Sequence, residues 1–371
     1  MARPTVAEIR LPALRHNFKA LRSLLPAGTG VLAVVKANAY GHGAVPVALA
    51  LEAEGARMLG VATVEEGVEL RQGGVRLPVV VLGGADPPQA EEAFAHRLSA
   101  VVFDRRQLRV LSRVASKGGR AFPVHVKVDT GMGRLGVLPA RALELLAELP
   151  SVGGVALEGW MTHLSSADGP SADDREFTER QLSSFAGGIP AVRAGFGADV
   201  TVHALNSAGI LRFAGTPFDS VRPGITLYGY SPLPPGETSI PLRPVMRVVT
   251  RIVSLKELPD GHPVSYNRRY RCGGVRRIAV VPIGYADGYR RGLTGHGRMS
   301  VSGRPAPVAG TVCMDHTMLD VTGIPGAEIG AEVEVMGEAS MTAEEIARVC
   351  GTIPYEVLTQ VGARIPRRTV D

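Results

Sequence analysis

Lys36 stands directly after the apolar run VLAVV (31–35) and before the turn-forming stretch NAYGHG. A lysine at the end of a buried strand gives up its proton more readily than one in water, because desolvation disfavours the ammonium; the free amine can then form a Schiff base with a carbonyl. Further along, Asn206 and Ser207 in HALNSAGI can cap a helix and donate to an oxygen, and Gly224 in VRPGITLYG lets backbone amides approach an anion. Such a helix start is worth up to about 2 kcal/mol to a partly buried negative charge. Arg222 and Ile225 belong to the same VRPGI segment, while Arg134 (VKVDTGMGRLG), His163 (GWMTHLSSAD) and Tyr266 (GHPVSYNRRY) add a guanidinium, an imidazole and a phenol. Each has a plainer reading by itself. Lys36 is then a solvated strand end, Asn206 an ordinary N-cap, His163 a structural histidine, Arg222 a rim ion pair and Tyr266 a packed strand tyrosine.

Short apolar runs that alternate with helix-like stretches must position these groups. The strand candidates are 31–35, 58–62, 78–82, 100–103, 122–128, 155–161, 200–204 and 219–222. Near-continuous apolar runs suit strands covered on both faces, as in a parallel sheet. Several gaps open with capping-box spacing, Thr63 to Glu66 and Asp104 to Gln107, so the crossovers read as helices. Eight such units predict an α/β fold, a (β/α)8 TIM-like barrel with its chemistry at the carboxyl ends of the strands, and a doubly wound sheet is the alternative. The Pro- and Gly-rich stretch 231–244 marks a change of texture, and the β-branched runs beyond it predict a mostly β C-terminal domain with no helix until Thr342. The expected domains are 1–232 and 233–371, with the extreme N-terminus pairing with the second.

Composition excludes several other classes. With 45% hydrophobic and 20% charged residues in 371, the chain can bury two cores and is neither disordered nor fibrous. The net charge of +6 is spread over scattered arginine pairs rather than one stripe, which argues against a nucleic-acid partner. Cys272, Cys313 and Cys350 lack CxxC spacing, so neither a disulfide framework nor a metal site is expected, and a reducing compartment is the simpler inference. No apolar run has signal-peptide or membrane-spanning character, so the expectation is a soluble cytoplasmic protein without a membrane partner.

VVKANAYGHG closely resembles the cofactor-lysine motif of the alanine racemase family, and VKVDTGMGRLG, GWMTHLSSAD, VRPGI, GHPVSY, GTVCMDHTMLDV, IGYADGY and YEVLTQVGARIPR follow in family order. The resemblance covers nearly the whole chain. It implies that Lys36 binds pyridoxal 5'-phosphate covalently, that Tyr40 and Tyr355 reach the phosphate together with Asn206, Ser207, Gly224 and Ile225, and that Arg222 faces the ring nitrogen. Arg134 is implied at the phenolic oxygen and near the substrate, with His163 beside the ring. Lys127 matches a lysine that many members carry as a carbamate, which would orient Arg134. Met314 would contact the substrate carboxylate through its amide and limit the pocket, and Tyr285 would line the entrance.

Racemisation delivers a proton to the face opposite the one it left, so two bases are the economical design. The resemblance assigns them as Lys36 and Tyr266, the latter supplied by the partner subunit of a homodimer. Tyr266 needs its proton affinity lowered, and Arg268, Arg269 and Arg271 are the nearby candidates. The chain departs from the family after this tyrosine, with Asn267 and Arg269 where glycine and threonine are common. The implied activity is interconversion of L- and D-alanine, supplying D-alanine for peptidoglycan. The rivals are racemisation of another small amino acid such as serine, a barrel-type amino acid decarboxylase, and a non-catalytic pyridoxal-phosphate carrier.

Overall fold

The computed structural model describes residues 3–234 and 236–371. Its contacts divide the chain into two compact units. One comprises Leu14–Ala39 and Ala44–Leu242; the other comprises Met1–Ala13, Tyr40–Gly43 and Arg243–Asp371. The division after Leu242 lies beyond the 232/233 boundary that composition suggested. The intervening residues are held to the first unit, where Arg212 pairs with Glu237 at 2.6 Å and His16 Nε2 meets the Pro241 carbonyl at 2.8 Å.

Strand β1 (Val6–Arg10) belongs to the C-terminal unit. The next eight strands close into a parallel barrel: β2 (Gly30–Val34), β3 (Met58–Val61), β4 (Val79–Val81), β5 (Ser99–Val102), β6 (Phe122–Lys127), β7 (Val155–Met161), β8 (Thr201–His203) and β9 (Ser220–Val221). Closure is made where β9 pairs with β2, Gly30 opposite Ser220. Each strand falls on one of the apolar runs read from sequence, and β2, β4 and β5 are buried at every residue, as expected of strands covered on both faces. Helices occupy the crossovers.

The predicted helix starts hold in part. Thr63 Oγ1 and Asp104 Oδ1 accept the amides of Glu66 (3.4 Å) and Gln107 (2.7 Å). The replying side chains, however, reach one residue further back, to Ala62 and Phe103. Between β6 and β7 the register shifts at Val124/His125, so that His125 stands opposite Gly159. Such a bulge re-aims side chains, and this one seats an imidazole inside the barrel.

The C-terminal unit is mostly β. It contains β10 (Met246–Arg251), β11 (Ser254–Leu258), β12 (Pro263–Val264), β13 (Tyr270–Arg271), β14 (Arg276–Val281), β15 (Arg298–Val301), β16 (Arg304–Pro307), β17 (Thr317–Asp320), β18 (Glu332–Met336) and β19 (Arg367–Val370). The larger sheet runs β16-β15-β18-β10-β1-β19, and β11-β14-β17 form a smaller one. After several short 3-10 turns, the first α-helix of this part of the chain is Ala343–Cys350, opened by a complete capping box between Thr342 and Glu345. Among the described residues no helix is long and apolar enough to cross a membrane.

Candidate active site

The turn after β2 has an unusual backbone. Ala37, Asn38, Ala39 and Tyr40 have φ between 52° and 54°, so this helical turn, Lys36–Gly41, is left-handed. Four L-residues in succession cost on the order of 1–2 kcal/mol each in that region, and strain of this kind persists only where the surroundings over-determine it. The surroundings do so here. Ala37 N–H donates to Glu66 Oε1 at 2.6 Å, Ala44 N–H donates to Asn38 Oδ1 at 2.7 Å, and Ala39 N–H donates to the Val35 carbonyl at 2.8 Å.

Lys36 is thereby presented half-buried at the barrel mouth. Among the described residues its Nζ has no hydrogen-bond or ion-pair partner. Burial and the Arg134 guanidinium lower its proton affinity, while Glu66 opposes them. Lys127, at the end of β6, is only 5% exposed, and no hydrogen bond or ion pair meets its Nζ among the described residues. Burial, together with Arg222 and Arg134, pushes its amine down to about 8. The mouth therefore gathers Lys36, Lys127, Arg134 and Arg222 within electrostatic reach of one another, with Asp129 and Glu66 as the carboxylates that offset them.

Arg134 is exposed on a turn that Asp129 organises, its Oδ1 accepting the Gly131 and Gly133 amides at 3.0 and 3.1 Å. Gly131 and Gly133 have φ of 134° and 68°, a backbone suited to glycine. Asp129 escaped the sequence reading, although an Asp followed by glycines two and four positions on is the mark of a side-chain-closed turn.

Arg222 is 3% exposed and faces no carboxylate within ion-pair distance among the described residues. Its nitrogens donate to the carbonyls of Thr162, His203 (2.8 Å) and Ala204 (2.9 Å), and to Nδ1 of His203 (2.9 Å) and His163 (3.3 Å). Burial pushes its ionisation down to about 9, so the donor form still prevails at neutral pH. A guanidinium only donates, which fixes the tautomers behind it. His203 Nδ1 accepts, His203 Nε2–H donates to His125 Nδ1 at 2.9 Å, and His125 carries its proton on Nε2, a buried atom with no partner among the described residues. Burial, and then Arg222, hold all three imidazoles neutral, His125 being pushed down to about 3. His125 and His203 carried no motif signal. Only their placement inside the barrel connects them to the site.

The residues from the β8 and β9 ends are interlocked. Asn206 Oδ1 caps the helix Ser207–Phe213 through the Gly209 amide (2.9 Å), and Ser207 Oγ accepts the Gly224 N–H (2.9 Å). Ile225 opens a buried 3-10 turn whose Tyr228 hydroxyl donates to the Val34 carbonyl at 2.9 Å, tying this loop to the strand that delivers Lys36.

The C-terminal unit collects its own set. Tyr40, buried, stands with its ring centroid 6.0 Å from that of Tyr355. Tyr266 is 67% exposed on a 3-10 turn rather than packed in a strand, and Thr311 Oγ1 donates to its carbonyl at 3.0 Å. Asn267, the departure from the family pattern, has φ 60° and ψ 12°. Asparagine is the side chain that best tolerates a position where glycine would sit freely. The Tyr285 and Ala286 amides donate to the carbonyls of Cys313 and Met314, both at 3.0 Å, bringing Tyr285 and Met314 together. Gly284 permits this approach, since a Cβ there would lie 2.2 Å from the Cys313 oxygen. The Met314 amide N–H has no partner among the described residues.

Two family models match this chain, the alanine racemase N-terminal domain over residues 9–232 and the alanine racemase C-terminal domain over residues 245–369. The chain belongs to the alanine racemase family. It is 43% identical to an alanine racemase of Geobacter sulfurreducens, covering 99% of this chain and 97% of that one. It is 41% identical to an alanine racemase of Halothermothrix orenii at 99% and 97% coverage. Among solved structures, alanine racemase from Streptomyces lavendulae superposes with a TM-score of 0.92 at 35% identity, covering 100% of this chain and 98% of that one. The Bacillus anthracis alanine racemase with bound L-Ala-P gives 0.90 at 32% identity, covering 100% and 96%. As an alanine racemase family enzyme, the chain combines the barrel and β-rich unit expected of it, with Lys36 at a strand end and the Tyr266 turn in the second unit.

Proposed function

We propose that the chain interconverts L- and D-alanine with pyridoxal 5'-phosphate, using Lys36 and the partner subunit's Tyr266 as bases on opposite faces of the α carbon. The observation that carries this reading is Lys36 itself, an amine of lowered proton affinity at the barrel mouth whose Nζ has no hydrogen-bond or ion-pair partner among the described residues. The donor set suits a phosphorylated aldehyde: an amine to bind it, an excess of cations to meet its charge, and the Asn206, Ser207, Gly224 and Ile225 segment for the phosphate. Tyr40 and Tyr355 belong to the same phosphate reading.

When bound, the cofactor takes up electron density released at the α carbon. Lys36 anchors it and then holds or returns a proton on one face, while the Tyr266 phenol does so on the other. Arg222 donates without surrendering a proton, which curbs delocalisation and favours returning the proton to carbon over decarboxylation or amino transfer. His163 stays neutral beside it. Arg134 and the free Met314 amide receive the substrate side, and Tyr285 lines the entrance. Lys127 in its neutral form adds to carbon dioxide and releases a proton, which replaces a buried cation by a carbamate that accepts from Arg134. A shared-site homodimer, a cytoplasmic location and supply of D-alanine to cell-wall peptidoglycan complete the reading.

Optical rotation of L-alanine, followed with pyridoxal phosphate present, tests it. The wild type brings rotation to zero, and Lys36→Ala and Tyr266→Phe each lose at least about 100-fold in rate. Unchanged rotation with the wild type contradicts the reading.

A further inference from the structure

The left-handed turn that carries Lys36 is bound to the neighbouring barrel strand through one side chain. Glu66 lies in the first turn of the helix Val64–Gln72, where its amide is accepted by Thr63. Its carboxylate does not answer Thr63. Oε2 accepts the Ala62 N–H at 2.7 Å, directly after β3, and Oε1 accepts the Ala37 N–H at 2.6 Å, directly after Lys36. The two oxygens thus strap the first amide of the strained turn to the end of the adjacent strand. Both bonds are charge-assisted and short.

We propose that Glu66 is a positioning residue for the reaction, whose carboxylate strap on the Ala37 and Ala62 amides fixes the direction in which Lys36 leaves the barrel. The proposal rests on the reading of Lys36 as the reacting amine. Its chemistry demands a carboxylate. A glutamine has one accepting oxygen and an NH2 group that faces the second N–H as donor against donor, and an aspartate is one methylene too short to keep both bonds. The bonds from Ala44 to Asn38 and from Ala39 to Val35 close the turn on its own neighbours in sequence, and Arg367 Nε holds the Gly41 carbonyl at its far end (2.9 Å), while Glu66 holds the amide next to Lys36.

The test compares the full-length holoenzyme with Glu66→Gln and Glu66→Ala, each checked for native size and circular dichroism. Amide exchange of residues 36–41 and of Ala62 should quicken about tenfold or more in Glu66→Ala, with the rest of the barrel unchanged, as expected when a charged acceptor is lost. The kcat for alanine should fall about tenfold or more with KM held within about twofold, and Glu66→Gln should lie between. The absorbance gained on adding pyridoxal phosphate should persist, since Lys36 remains. Unchanged exchange at Ala37, exchange that quickens evenly through the barrel, or an unaltered kcat overturns the proposal. A Lys36→Ala protein that keeps the absorbance refutes the role of Lys36 instead, and the exchange result would then stand as a structural finding alone.

Discussion

Lys127 is the residue whose chemistry is least settled by its type. Its amine sits at about 8 in the folded protein against 10.5 ordinarily, so below about 8 folded and unfolded chains both hold the proton. Between those values the unfolded chain holds a proton that the folded one has lost, and stability must rise with pH through that window. Unfolding midpoints in carbon dioxide-free buffer should show this rise, and Lys127→Met should remove the Lys127 share of it. With bicarbonate present, the carbamate likewise holds the folded chain in a form without the ammonium proton, so the rise with pH keeps its sign, and a mass increment at Lys127 should accompany a further stabilisation; no increment would dismiss the modification. Lys36, Arg134, Arg222 and Tyr266 stood out in the sequence because each lies in a motif that resembles the family's, in family order. Glu66, Asp129, His125 and His203 were not, since their roles reside in backbone amides and ring nitrogens that only the closed barrel brings near.

At the scale of elements, the eight barrel strands were readable because burial on both faces leaves uninterrupted apolar runs, as in VLAVV and PVVVL. The left-handed turn was not readable, because Ala37 and Ala39 have no local preference for positive φ and are held there by partners. The β6–β7 bulge was equally silent. It places His125 against Gly159, where an added Cβ would lie 1.9 Å from the imidazole Nδ1. Gly159→Ala should therefore cost about 1–3 kcal/mol in urea unfolding. The same substitution in a His125→Ala background should cost much less, and equal costs in the two backgrounds would remove the imidazole as the cause. Asn206→Ala should cost about 1 kcal/mol by the same assay, the value of an N-cap.

At the scale of the whole molecule, each unit holds part of the proposed chemistry: Lys36, Arg134 and Arg222 in the barrel unit, and Tyr266, Tyr285 and Met314 in the other. Tyr266, Tyr285 and Met314 are 67%, 42% and 52% exposed, in keeping with groups that serve a second protomer. A shared site makes a sharp demand on two inactive variants. Lys36→Ala and Tyr266→Phe, mixed in equal amounts and allowed to exchange subunits, give mixed dimers in which one site pairs an intact lysine with an intact tyrosine. Racemase activity should then return to roughly a quarter of wild type, following the mixing of monofunctional sites across dimers. A mixture that forms such dimers yet stays as inactive as its parents would contradict the pairing of Lys36 with the partner subunit's Tyr266.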